Sequence, residues 1–186
     1  MEEFSGGAEQ FDDITMIALR FSPPVPADET ANQRFSLVLA ADTNNVDELS
    51  AFIVENLEKA GCPEKIREQI ELAAEEVFVN IARYAYKDYA GQGECDADNS
   101  ISWGSCEITL TIGSVNDKNA GGTVMILTFT DCGIPFNPLE HTEPDINSPL
   151  EEREKGGFGL LIVKRVMDMV EYRYNGMNRL LLKKCW

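Results

Sequence analysis

Lys155-Gly156-Gly157-Phe158-Gly159-Leu160 is the stretch on which the reading of this chain turns. It follows a polar, Pro-containing loop and opens an apolar helical run, Leu160-Leu161-Ile162-Val163-Lys164-Arg165-Val166-Met167. A glycine-rich turn entering a helix leaves backbone N–H groups open to an anion. The helix dipole adds positive potential there, and the missing Cβ atoms permit close approach. Glycines also simply end loops, so the stretch gains its meaning from two pieces upstream. Glu76 and Asn80 are spaced i, i+4 on a helical pattern, one above the other, and Asp131-Cys132-Gly133 closes an apolar strand.

Composition narrows the field. With 186 residues and 44% apolar content the chain can build one domain with a real core and some extra chain. No apolar run reaches the ~20 residues that a membrane span requires. The start, Met1-Glu2-Glu3-Phe4-Ser5-Gly6-Gly7, has neither a basic nor an apolar signal region, so no membrane partner and a cytoplasmic location are expected. The five cysteines (Cys62, Cys95, Cys106, Cys132, Cys185) are odd in number, scattered and without a C-x-x-C pair, so reduced thiols are expected. His141 is the single histidine, which leaves little room for histidine-based metal or triad chemistry. A formal charge of −16 argues against nucleic-acid binding, where a basic footprint supplies most of the affinity. An anionic ligand would need a divalent cation and a local positive pocket. Lys155, Arg83 and the start of the 158–169 helix are the groups available for it.

Along the chain, Asp13–Phe21 reads as a strand, followed by the Pro-rich linker Ser22–Glu29. Arg34–Ala40 reads as a strand, and Asp42-Thr43-Asn44 is N-cap chemistry before the helical pattern Val46–Ala60. Pro63–Tyr86 carries Ile66, Ile70, Ala73, Val77, Ile81 and Tyr84 along one helical stripe. Lys87–Ser102 reads as a loop; Cys106–Ile112 and Thr123–Thr130 are strands around a second loop, Gly113–Gly122. Phe158–Val170 is a predicted helix. Glu171–Tyr174 and Arg179–Lys184 form a predicted hairpin around Asn175-Gly176, a type I′ turn signal. This order predicts an α+β two-layer sandwich: a mixed, mostly antiparallel sheet with helices on one face. The P-loop motif is absent, as are His-Arg-Asp and Asp-Phe-Gly, which excludes the ordinary protein-kinase pattern.

Each chemical piece has an ordinary counterpart. Asn80 offers a neutral oxygen to Mg²⁺, and Glu76, one turn away, can orient or deprotonate a hydroxyl; a bare E-x-x-x-N is also a common helix edge. Asp131 can accept a hydrogen bond from the exocyclic amine of adenine, with Gly133 letting the base lie on the backbone; Asp-x-Gly is also turn chemistry. Gly157 and Gly159 can contact phosphate through their N–H groups, with Lys155 as a point charge. All three in this order suggest an ATP site.

On these residues the chain resembles the GHKL (Bergerat-fold) ATPases. Glu76-x-x-x-Asn80 is similar to the N-box, and Asp131-x-Gly133 and Gly157-x-Gly159 to the two glycine boxes. Within that group it most resembles the RsbW-like anti-sigma-factor serine kinases, on Glu75–Tyr86, Asp131–Pro138, Gly156–Val163, Met167-Asp168 and the closing Asn178–Lys184. The likeness spans about Arg34 to Lys184, most of the chain. It implies Glu76 as catalytic base, Mg²⁺ on Asn80, adenine on Asp131, and the 139–157 loop as a lid. It also implies nucleotide contacts from Arg83, Gly133, Phe136, Lys155, Gly156, Gly157, Phe158, Gly159 and Leu160. The implied partners are a phospho-acceptor anti-sigma-factor antagonist and a sigma factor, and such kinases are often homodimers. A non-catalytic, ATP-gated binding module is the alternative; a sensor histidine kinase fits less well, for want of a dimerisation segment with an acceptor His. Tyr84 stands where many relatives carry His, and the 87–104 loop is longer than expected.

Residues 1–22 carry a second resemblance. Gln10-Phe11-Asp12-Asp13-Ile14-Thr15-Met16-Ile17-Ala18-Leu19 is similar to the last strand of a SpoIIE-type metal-dependent serine phosphatase. The expectation is a remnant phosphatase strand (1–22), a Pro-rich linker (23–33) and the ATPase domain (34–186).

Overall fold

The computed structural model describes residues 33–87, 101–117, 120–140 and 158–186. The expected strand 13–21, the linker, His141 and Lys155-Gly156-Gly157 lie outside them. Strand β1 (Gln33–Ala40) leads through a short 3₁₀ turn, Thr43–Asn45, into α1 (Val46–Lys59) and α2 (Glu64–Asn80). Asp42 caps the 3₁₀ turn, its carboxylate accepting from the Asn44 N–H at 2.9 Å. A π-helical turn, Ile81–Ala85, extends α2. Strands β2 (Ser105–Asp117) and β3 (Ala120–Asp131), helix α3 (Phe158–Val166), and strands β4 (Met169–Tyr174) and β5 (Asn178–Cys185) complete the order.

The five strands form one sheet, β1-β2-β3-β5-β4, and every pairing is antiparallel. The fold is therefore α+β, as expected, with the sheet antiparallel rather than mixed among the described residues. Its layering follows from the two-residue period of a strand. On β2, Cys106, Ile108, Leu110 and Ile112 are buried, while Glu107, Thr109 and Thr111 between them are only half-buried. Met125, Leu127 and Phe129 of β3 and Leu180 and Leu182 of β5 continue the same face. Leu49, Ile53 and Leu57 of α1, Ile70, Ala73, Val77 and Phe78 of α2, and Val163 of α3 close over it. A fully buried side chain such as Leu57 or Ile70 contributes about 1.5–3 kcal/mol of transfer free energy.

Four expectations need correcting. The predicted Gly113–Gly122 loop is instead ladder: β2 and β3 stay paired out to Asp117↔Ala120. The stripe along α2 holds to Ile81 but loses Tyr84, which is 53% exposed. The π turn is the reason, because its wider coil turns each residue through a smaller angle and moves position 84 off the face set by α-helical spacing. The helix predicted for Phe158–Val170 ends at Val166. Lys184 Nζ donates to the Val166 carbonyl (2.6 Å) and to Asp168 Oδ1 (3.1 Å), and Asp168 Oδ2 accepts from the Cys185 N–H at 2.7 Å. This clamp stops the helix and sends Met169 and Val170 into register with Lys183 and Leu182. Finally, Cys132 is disulfide-bonded, whereas Cys62, Cys106 and Cys185 are free thiols. The scattered cysteine spacing gives no local signal of that bond.

The clamp carries a pH signature. Burial pushes the Asp168 carboxyl up, but the Cys185 N–H and the Lys184 ammonium outweigh it and hold the group below the ordinary value. A lowered carboxyl contributes stability above its unfolded-state value, and that contribution is lost as pH falls through the folded value. Asp168→Ala should cost about 1–2 kcal/mol at pH 7, read by urea denaturation. The gap from wild type should narrow as the pH drops below the ordinary carboxylate range.

Candidate nucleotide site

Helix α2 carries two adjacent acids to different places. Ser50 Oγ donates to Glu75 Oε1 at 2.7 Å, so Glu75 is tied to α1. The Glu76 carboxylate instead lies against the backbone of Gly159, in the first turn of α3. A Cβ on Gly159 would overlap Glu76 Oε2. Glu76 is thus not a solvating charge on a helix edge; it is half-buried at the junction of α2 and α3. Asn80 closes α2 one helical turn on, half-buried, and makes no capping hydrogen bond to the π turn that follows. Arg83 lies within that π turn and is exposed.

The end of β3 meets the same helix from the other side. Ile134 N–H donates to the Ala85 carbonyl at 2.8 Å. Gly133 fits so closely that a Cβ would stand 2.5 Å from Ala85 Cβ and 2.6 Å from its carbonyl oxygen. Close approach, rather than an unusual backbone angle, is what requires glycine here. Tyr86, just beyond, donates to the Ser105 carbonyl (2.6 Å) and sets its ring edge-on to Trp103, centroids 5.1 Å apart.

Asp131 is 4% exposed. Its Oδ1 accepts from the Gly133 N–H (2.8 Å) and from Asn178 Nδ2 (2.9 Å). Burial pushes its carboxyl up, and the Asn178 and Gly133 donors pull it back only in part. Asn178 is a residue that motif reading placed at the end of the fold without a role. Its Nδ2 also reaches the Gly133 and Ile134 carbonyls at 3.2 and 3.1 Å. Its Oδ1 accepts from the Phe136 N–H (3.2 Å) and the Tyr172 hydroxyl (2.6 Å). The hairpin explains how Asn178 arrives there. Tyr174 pairs with Asn178 across a three-residue loop, not the two-residue type I′ turn that Asn175-Gly176 suggests. Met177 leaves the ladder and packs, 7% exposed, with Ile101 and Cys132.

The structure therefore brings Glu76 to Gly159, with Asn80 one turn along α2 from the acid, and ties Asp131, Gly133 and Phe136 to Asn178. Leu160 is half-buried in α3. A family model described as a histidine kinase-like ATPase domain matches residues 39–184, more than three quarters of the chain. The chain belongs to that family. No curated protein shows detectable similarity to it. The match runs from the last residues of β1 to Lys184 of β5 and takes in strands β2 to β4, most of β5 and the three helices. The family is one of ATP-using proteins, which accords with the acid–amide pair on α2 and the glycine at the start of α3. No described helix is long and apolar enough to cross a membrane.

The two glycines should respond oppositely to alanine. Gly133→Ala pushes against backbone and should cost about 1–3 kcal/mol in chemical denaturation. Gly159→Ala meets only the end of a flexible side chain, so its melting temperature should stay near wild type while ATP turnover falls with the displaced Glu76.

Proposed function

We propose that this domain is a Mg·ATP-dependent protein serine kinase of the RsbW-like type, acting on an anti-sigma-factor antagonist in a partner-switching pathway. The observation that carries the reading is the Glu76 carboxylate held against the first turn of α3 at Gly159. A base is useful only where the phosphoryl acceptor will sit, and the start of a helix is where backbone N–H groups favour phosphate. The chemistry is displacement at the γ-phosphorus. A serine oxygen forms the new O–P bond as the bond to the β-phosphate oxygen breaks. ADP leaves with that electron pair, and Glu76 takes the hydroxyl proton. Asn80 suits Mg²⁺ in donor type, a neutral hard oxygen, half-buried and one turn from the acid. Bound there, the ion would neutralise charge between the phosphates, which matters in a chain of formal charge −16.

Asp131 gives this reading an adenine subsite. Both described hydrogen bonds to its carboxylate fall on Oδ1, which leaves Oδ2 for a base amine. The ATP-gated binding module is the second reading, in which the domain sequesters a sigma factor or other protein. Tyr84, Ile134 and Phe136, 53%, 38% and 47% exposed, favour it as apolar side chains flanking the backbone junction of α2 and β3. The SpoIIE-like remnant strand (1–22) and the Pro-rich linker (23–33) stay part of the proposal.

The test is nucleotide binding beside turnover. A ligand at about 100 times its Kd stabilises by ~2.7 kcal/mol, roughly 5–10 °C in Tm for a domain this size. Mg·ATP should produce such a shift in wild type and not in Asn80→Ala. Glu76→Gln should keep the shift while ADP formation drops on the order of 10²-fold or more. Equal turnover in Glu76→Gln would remove the base and leave the binding module as the better account.

A further inference from the structure

We propose that Asn178 and Tyr172 are positioning residues of the nucleotide pocket: the Asn178 amide holds Asp131 as a hydrogen-bond acceptor and thereby sets a preference for adenine over guanine. The inference rests on the reading of this pocket as a nucleotide site. Its geometry follows from which groups can only donate. The Phe136 backbone N–H can only donate, so the Asn178 atom facing it at 3.2 Å must be the carbonyl oxygen. The Tyr172 hydroxyl donates to that same oxygen at 2.6 Å. The amide's NH₂ is therefore turned toward Asp131 Oδ1, 2.9 Å away, and toward the Gly133 and Ile134 carbonyls. Gly133 N–H, a second pure donor, meets the same Oδ1 at 2.8 Å.

Two fixed donors on Oδ1 leave a proton only one place on this carboxyl, which is Oδ2. Oδ2 is then the switchable atom. Ionised, it accepts from an exocyclic amine such as that of adenine; protonated, it donates and matches a keto oxygen such as that of guanine. Asp131 is buried, and among the described residues the titratable groups that face it bring no cation. Tyr86 approaches from just beyond the π turn, Cys106 from β2 and Tyr172 from β4. Burial pushes all three above their ordinary values, so each is neutral near pH 7. Among the described residues the Asn178 and Gly133 N–H groups are what favour the carboxylate. Asn178 does this from β5, Tyr172 holds Asn178 from β4, and the Phe136 loop is secured by the same atom.

The experiment uses the full chain as wild type, Asn178→Leu and Tyr172→Phe. The Asp131 carboxyl is titrated by carbon NMR without ligand, and Mg·ATP and Mg·GTP are titrated calorimetrically from pH 5.5 to 8.5. In Asn178→Leu the carboxyl should titrate at higher pH. Relative to wild type, ATP affinity should be unchanged above both midpoints, fall progressively through the interval between them, and reach a loss of about tenfold for each unit by which the midpoint rises below both. The ATP-to-GTP affinity ratio should fall with it. Tyr172→Phe keeps the ring and its packing, and should move the same readouts the same way by less. An unmoved carboxyl titration in both variants, or equal weakening of ATP and GTP, would overturn the proposal. Wild-type protein that binds neither nucleotide would sink the underlying reading and the base preference with it, while the ligand-free titration would still decide whether Asn178 governs Asp131.

Discussion

The approach of Gly133 to Ala85 is the contact on which the rest of the site depends. It joins the C-terminal end of the α2 segment to the end of the central strand β3, with the Ile134–Ala85 hydrogen bond as its directional part. No side chain larger than hydrogen fits at 133, so the separation of helix and sheet at this point is set by backbone against backbone. That rigidity has a consequence for chemistry. Glu76 and Asn80 precede the junction on α2, and Asp131 precedes it on β3, so one contact fixes the spacing between the acid–amide pair and the buried carboxylate. A π turn at 81–85 supplies the carbonyl, and such turns recur where a helix is adapted to a functional site.

Electrostatics is handled locally, against the grain of the whole chain. A formal charge of −16 repels anions at long range, yet an interaction beyond a Debye length of about 8 Å is largely screened at physiological salt. What matters is the immediate surroundings of the pocket. The start of α3 faces Glu76, while its last turn carries Lys164 and Arg165, which complement the opposite end of the helix dipole. At the other end, Asp131 is kept in a buried position by N–H donors alone. That arrangement is polar without being cationic among the described residues.

Several features of the fold were legible in the residues. Strand-like patterning marked β1 and β2, and helical periodicity marked α1 and α2. Where the reading failed, a long-range partner had overruled a local signal. Phe158–Val170 has helical periodicity throughout, but Lys184 and Asp168 form a clamp across the α3–β4 junction that no local pattern contains. Asn175-Gly176 signals a two-residue turn, but burying Met177 beside Ile101 and Cys132 is worth more than the preferred turn geometry. The same shift brings Asn178 opposite Tyr174 and onto Asp131, which is why the hub of the pocket was not recognisable beforehand.

The sequence by itself determined the α+β class, the order of the elements and the identity of the chemical groups, because these rest on period-2 and period-3.6 patterning and on residue type. Only the tertiary structure decided what each of two neighbouring acids touches. Glu75 and Glu76 are chemically identical and adjacent, and about 100° of helical rotation between them turns one to Ser50 of α1 and the other to Gly159 of α3. It likewise decided the surroundings of Asp131, since its buried, donor-held state is made by β5, 47 residues away in the chain. Local residues specify which conformations and reactions are available; packing between distant segments selects among them, because only there do burial and hydrogen-bond geometry become definite.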